Sequence, residues 1–110
     1  METNHAIAAL TALGHATRLA IFRLLVEAGH DGRMAGEIAE ALSVPGATLS
    51  FHLKELVHAG LIGSESRGRN VCYRANFEAM NALVAYLTHN CCVGSPNESC
   101  PPGAAATCAC

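Results

Sequence analysis

The sequence has no tryptophan, aromatic residues make up 5% of its 110 positions, and charged residues only 15%. Abundant alanine with few aromatics favours helices over a β-sandwich, so a mainly α domain is expected. No apolar run approaches the roughly 18 residues of a membrane span, and the first residues are unlike a signal peptide. We therefore expect a cytoplasmic chain with no membrane partner.

Motifs of catalysis are also missing. The chain has no Cys-x-x-Cys, no paired nucleophile and base, and no phosphate-binding loop, which disfavours an enzyme. Five of the six cysteines nevertheless lie in the last 20 residues. Such clustered thiols indicate soft-metal binding or redox chemistry rather than a disulfide framework. We divide the chain into a folded domain, residues 1–90, and a Cys-rich flexible tail, residues 91–110, that carries the thiols.

Hydrophobic periodicity predicts about five helices and one β-hairpin. The connection between the third and fourth helices is only about two residues long, which is typical of a helix-turn-helix in which the second helix reads DNA. The predicted helices cover residues 6–12, 17–28, 35–42, 77–90 and, within the segment 44–60, the residues from Pro45 up to the stop at Gly60; the predicted strands cover residues 61–66 and 70–74.

The segment 44–60 is predicted to be the reading helix. Pro45 suits a first helical position, and Gly60 suits a left-handed stop. An apolar stripe faces inward, and small polar and aromatic side chains that can reach base edges face outward. An ordinary amphipathic surface helix explains this segment equally well. The stripe comprises Leu49, Leu53, Leu56 and Val57; the outward set comprises Thr48, Phe51, His52 and Glu55, with Ser50 at the border.

The formal net charge of −2 argues against a nucleic-acid partner, but the charge is segregated. Residues 45–76 hold four basic and two acidic side chains, giving +2 and leaving −4 for the remainder. Arg67 and Arg69 flank Gly68 at the tip of the predicted hairpin, where they can straddle a phosphate backbone or enter a minor groove. A solvated turn is the alternative interpretation.

The last helix carries a long apolar seam that a domain of this size cannot fully bury together with the alanine-rich first helix. We expect a homodimer built from these two helices, which would place two reading helices on opposite half-sites of double-stranded operator DNA. The alternative is a last helix packed only on its own domain. The seam comprises Phe77, Met80, Leu83, Val84 and Leu87.

Thr17-Arg18-Leu19, the run 48–56 and the run 59–62 occur in an order that resembles the ArsR/SmtB family of winged helix-turn-helix metalloregulatory repressors. The resemblance covers residues 5 to 90. It implies a homodimeric repressor that leaves its operator when an inducer binds. By matching position, it implies that the reading residues are Thr48, Ser50, Phe51 and His52 and that the wing contacts are Arg67 and Arg69.

The sequence departs from the family pattern in two places, and it also lacks the ligands of the family's zinc sensors. His15-Ala16 replaces the Asp or Asn followed by Pro that precedes Thr-Arg in many members, which predicts a weaker helix cap. The cysteine pair that arsenic-responsive members carry on the reading helix is missing here. The last helix offers only Glu78 and His89 toward the zinc site of other members, too few and too far apart for one ion.

The inducer site is therefore predicted at Cys91, Cys92 and Cys100. Trivalent arsenic prefers three sulfur ligands, and a vicinal cysteine pair after the last helix is similar to an arrangement in some family members. As(III) is the expected inducer, with Sb(III) and methylarsenite as relatives. Alternatives are a Zn(II) or Cd(II) site completed by Cys108 or Cys110, a thiol-redox sensor, and, remotely, a metallochaperone without DNA binding. Cys72 is expected to be a half-buried strand thiol.

Overall fold

The computed structural model describes residues 1–94. It contains five α-helices, a short 3-10 turn at Gly29–Asp31, and three β-strands. The helices match the predicted number and order, and Ala35–Leu42 has the predicted bounds. The helices are α1 (Thr3–Leu13), α2 (Ala16–Ala28), α3 (Ala35–Leu42), α4 (Gly46–His58) and α5 (Phe77–Thr88); the strands are β1 (Arg33–Met34), β2 (Ile62–Arg67) and β3 (Asn70–Ala75).

The predicted hairpin is present, and it belongs to a three-stranded antiparallel sheet in the order β1-β3-β2. Strand β1 was not predicted, because two residues are too short for an alternating pattern. In β1, Arg33 pairs with Tyr73 and Met34 with Cys72. Gly32 precedes this strand at φ +67°, and a Cβ there would lie 2.9 Å from the Cys72 Sγ. Only glycine fits the close approach that starts the strand.

The core lies between α2, α4 and the sheet. Helix α2 contacts α1, α3, α4 and β3, which confirms its predicted central position. It buries Ile21, Phe22 and Leu25. Helix α1 packs onto this core mainly through alanines, with Leu13 partly buried beside them, because small side chains let two helices approach closely. The buried alanines are Ala6, Ala9 and Ala12.

The start and end of α4 are set by residues that the sequence predicted to bracket it. Pro45 is the N-cap, one position earlier than expected, with extended backbone at φ −58° and ψ 145°. Gly60 has φ +80°, and its N–H donates to the carbonyl of Val57. The turn from α3 also uses left-handed backbone, at Ser43 with φ 54°. These turns hold α4 against α3 as a helix-turn-helix.

Within residues 1–94, no single helix combines the length and apolar content needed to cross a membrane. Helix α1 taken together with residues Ala16–Asp31 meets both criteria only as a pair bent by 102°.

Candidate nucleic-acid interface

Helix α4 presents one buried and one exposed face. Leu49, Leu53 and Leu56 are each at most 2% exposed, as the apolar stripe predicts. On the opposite face, Thr48 and Ser50 are exposed, and the ring of Phe51 is 56% exposed. This places an apolar ring among polar side chains on the exposed face of the helix. Three of the four predicted reading residues therefore lie together on an accessible surface.

The outward placement predicted for His52 is wrong. Its side chain is 7% exposed, and Val57, predicted to face inward, is 38% exposed. On a helical wheel, His52 lies about 60° from Leu49 on one flank and Val57 about 80° away on the other. Hydrophobicity assigned Val57 to the stripe and the imidazole to solvent. The neighbouring helix α2 reverses this assignment, because it supplies a polar partner for the imidazole.

That partner is Arg18, which the sequence did not single out for this position. Its Nε–H donates a hydrogen bond of 3.1 Å to the Nδ1 of His52. Its guanidinium carbon also lies 5.6 Å from the centroid of the Phe51 ring, within the range of a cation–π contact. Arg18 is half-buried, so α2 contributes a charged side chain directly beneath the exposed face of α4.

His15 completes this cluster and also caps α2. Its Nδ1 accepts a hydrogen bond of 3.2 Å from the N–H of Thr17, so the weak start predicted for this helix is in fact capped by an imidazole. The His15 and His52 ring centroids are 4.6 Å apart. Burial, followed by the nearby charges of His15 and Arg18, lowers the pKa of His52 below its ordinary value of 6.5. Because Arg18 donates to it, the Nδ1 of His52 is an acceptor that carries no proton.

The hairpin of β2 and β3 has a two-residue tip, Gly68 and Arg69, between the paired residues Arg67 and Asn70. Gly68 has φ +64°, the backbone that a tight hairpin turn requires at its first central position. Arg67 and Arg69 are both exposed there, in the places predicted for wing contacts.

Not all of the basic side chains near the wing are available to a phosphate. Arg74 pairs with the Glu65 carboxylate at 2.8 Å and donates from Nε to the carbonyl of His30 at 2.7 Å, which ties the wing to the body of the domain. Arg67 lies 3.4 Å from the same carboxylate. The hydrogen bond from Arg74 is the main reason that the pKa of Glu65 is lowered. The positive face is therefore smaller than the charge count suggests.

The predicted inducer site is only partly within the described residues. Cys91 and Cys92 follow the end of α5, and their Sγ atoms are 3.3 Å apart. Cys100, Cys108 and Cys110 lie outside the described residues. In the part of the chain that the structure describes, no three His, Cys, Asp or Glu side chains come together as metal ligands. Cys72 is 1% exposed in β3, more deeply buried than predicted.

Asn76 is a further residue that sequence patterns did not reveal. Its Oδ1 accepts from the N–H of Ala79 and so caps α5, while its Nδ2 donates to the carbonyl of Gly60 at the end of α4. Its own N–H donates to the carbonyl of Leu61. An Asn before an apolar run is a cap signal, but only the fold shows that the same amide joins two helices.

Comparison with known proteins assigns the chain to a family. Residues 13–64 match the family described as a helix-turn-helix domain. Over 91 residues the chain is 33% identical to the HTH-type transcriptional regulator YgaV of Escherichia coli (strain K12), which covers 83% of this chain and 90% of YgaV. An ArsR-like transcriptional regulator from Rhodococcus sp. RHA1 shares the fold with a TM-score of 0.67 and 28% identity over 76% of each chain. The chain belongs to the ArsR family of winged helix-turn-helix transcriptional regulators.

A crystal structure described as a possible transcriptional regulator for arsenical resistance is also similar, with a TM-score of 0.62 and 25% identity over 72% of this chain and 79% of that one. In this ArsR-family regulator, α3 and α4 form the helix-turn-helix that binds DNA, and β2 and β3 form the wing. The resemblance found in the sequence is confirmed at the level of family and fold.

Proposed function

We propose that this regulator is a metalloid-responsive repressor. In the cytoplasm it binds operator DNA as a homodimer, and it dissociates when trivalent arsenic is bound by thiolates of Cys91, Cys92 and Cys100. One observation carries the proposal: the Sγ atoms of Cys91 and Cys92 lie 3.3 Å apart, and only His89 and Asn90 separate them from the end of α5, the helix whose outer face is left uncovered. A ligand bound there acts on the element that would join the two subunits.

The DNA-binding surface would consist of the outer face of α4 and the wing tip. Thr48 and Ser50 offer hydroxyls to base edges, and Phe51 offers an apolar ring suited to a thymine methyl. Arg67 and Arg69 would contact phosphates or the adjacent minor groove. With so few cations on each subunit, useful affinity depends on two copies binding at once.

The proposed dimer interface is an apolar face shared by α1 and α5. The two helices contact each other within the subunit, where Thr3 bonds the Tyr86 hydroxyl at 2.7 Å. Their outward aliphatic side chains form a surface that a monomer would expose to water at a cost. These side chains are Ile7, Leu10, Val84 and Leu87, which are between 45% and 58% exposed.

The adjacent cysteines at this end of the domain favour a thiophilic ion. Their Sγ atoms lie 3.3 Å apart, close enough for both side chains to approach one centre. Trivalent arsenic takes sulfur ligands in preference to imidazole or carboxylate. The similar structure described as a possible regulator for arsenical resistance also favours this inducer. Arsenic is thus preferred to Zn(II) or Cd(II).

Asn76 supplies a route from α5 to the reading helix. Its Oδ1 accepts a hydrogen bond of 3.1 Å from the N–H of Ala79 in the first turn of α5. Its Nδ2 donates a hydrogen bond of 3.0 Å to the carbonyl of Gly60, just after the end of α4. A shift of α5 on closing the thiolate site would therefore be passed to the end of α4 and to the spacing of the two reading helices. A coupling of ~1–3 kcal/mol is sufficient to change operator affinity about 5- to 150-fold.

The test is a titration of As(III), Sb(III), methylarsenite, Cd(II) and Zn(II) into the complex of the full chain with an operator duplex, selected by the protein from a random pool. We expect As(III) to lower affinity at least 5-fold. C91S, C92S and C100S should each lose the response, whereas C108S and C110S, matched thiol controls, should keep it.

Release by As(III) from the triple variant C91S/C92S/C100S would overturn the site assignment. A response to Cd(II) or Zn(II) without one to As(III) would favour the four-thiolate alternative. Release by an oxidant, reversed by a dithiol reductant and insensitive to As(III), would favour a redox sensor.

A further inference from the structure

The exposed ring of Phe51 is held from beneath by two side chains that also bind each other. Arg18 donates from Nε to the Nδ1 of His52 at 3.1 Å and places its guanidinium 5.6 Å from the Phe51 centroid. The rings of Phe51 and His52 meet edge to face, with centroids 5.6 Å apart and planes at 61°. Three contacts therefore close a triangle between α2 and α4.

Of the three side chains, His52 is the buried one. His52 is 7% exposed and packs against His15, whose own Nδ1 is engaged in capping α2. Because the Nδ1 of His52 accepts a hydrogen bond from Arg18, the imidazole is neutral and carries its own proton on Nε2. A neutral ring beneath Phe51 and a planar cation beside it restrict the directions that the exposed ring can take.

We propose that Arg18 and His52 are positioning residues for DNA recognition, which hold Phe51 in the orientation in which its ring meets a thymine methyl in the major groove. The inference rests on the proposed role of α4 as the reading helix. A phenylalanine that is free to change rotamer would lose that conformational entropy on binding DNA, whereas a ring already held in the bound orientation would not. Arg18 acts here through Phe51, not by neutralising a phosphate.

The experiment compares affinities for the selected operator and for the same duplex with its thymines replaced by deoxyuridine, which lacks the methyl group. The wild-type protein should prefer the thymine duplex, and F51A should lose that preference. R18K keeps the charge but loses the planar face and the Nε donor, and H52L keeps bulk without an acceptor. Both should lower operator affinity about 5- to 10-fold and reduce the preference for thymine.

Two matched variants are expected to behave like the wild type. In H52N the amide oxygen stands where Nδ1 accepts, so most of the thymine preference should be retained. R23K makes the same Arg-to-Lys change on the same helix, at a residue that among residues 1–94 pairs with Glu27 of its own helix at 3.7 Å. If H52N fails as badly as H52L, the acceptor at Nδ1 is not what matters and the proposal is wrong.

Salt dependence separates positioning from direct phosphate contact. In R18Q the slope of log affinity against log salt should stay as in the wild type, whereas loss of a phosphate contact would reduce it by about one. A reduced slope overturns the positioning role.

Double variants distinguish a loss of Phe51 positioning from general damage to α4. In the F51A background, R18K and H52L should have no further effect on operator affinity, because their effect passes through the missing ring. A further loss there contradicts the proposal. If F51A itself matches the wild type in affinity and thymine preference, the reading role of α4 fails; if F51A loses both while R18K and H52L do not, only the positioning inference fails.

Discussion

Helices α1 and α2 are both rich in apolar residues, yet they bury opposite kinds of side chain. Helix α2 buries Ile21, Phe22 and Leu25, whereas α1 buries only alanines and leaves Ile7 and Leu10 about half exposed. An alanine face permits close helix packing but removes little apolar area from water. The core of the subunit thus depends on α2, and the large side chains of α1 remain for another surface.

The sharpest test of this contrast is truncation of one leucine on each helix. Leu25→Ala should lower the free energy of unfolding by ~2–5 kcal/mol, because a fully buried side chain leaves a cavity. Leu10→Ala, at 45% exposure, should change it by less than ~1 kcal/mol when measured at protein concentrations that keep the chain monomeric. Denaturant unfolding of both variants gives the two values. Equal losses would show that α1 contributes to the core as much as α2.

A charge on the uncovered face should affect assembly more than folding. Leu87→Asp, at a side chain 58% exposed on α5, should convert the dimer to a monomer and weaken operator binding at least 10-fold. Sedimentation equilibrium and DNA titration measure the two effects. Leu19→Asp is the matched control, because Leu19 is 47% exposed on α2, and it should leave the oligomeric state unchanged. A dimer that survives Leu87→Asp would place the interface elsewhere.

The smallest expected effect is a pH dependence of the free energy of unfolding, which arises from His52 at the contact between α2 and α4. The charged and titratable groups that act on His52 are His15, the N-cap of α2, and Arg18 within α2. Because burial lowers the pKa of His52 below 6.5 in the folded state, the unfolded chain binds this proton more readily. Its contribution to stability is complete above pH 6.5 and declines as the pH falls through that value.

The measurement is the free energy of unfolding of the wild type and of H52N between pH 7.5 and 5. The wild type should lose more stability than H52N over this range, since asparagine does not titrate. Histidines that do not act on His52 are common to both proteins and cancel, so the difference reports His52 together with its coupling to His15. Parallel curves would contradict the burial of a neutral His52.

The recognition surface shows which side chains of α4 the local apolar pattern places correctly and which it does not. The stripe of Leu49, Leu53 and Leu56 was sufficient to orient α4 and to expose Thr48, Ser50 and Phe51. It failed at its two flanks, His52 and Val57, where the choice depended on the neighbouring helix. The same holds for the seam of α5, in which Leu83 is buried while Val84 and Leu87 are exposed.

The sequence by itself determined the order of the elements, their approximate limits and the family, because these depend on residue periodicity, turn-forming glycine and proline, and short motifs. Only the tertiary structure decided that α1 buries its alanines, that two residues form a third strand, and that His52 turns inward to meet Arg18. A helical wheel relates side chains only to their own axis. The burial of a polar ring depends on a partner 34 residues away, which local sequence does not specify.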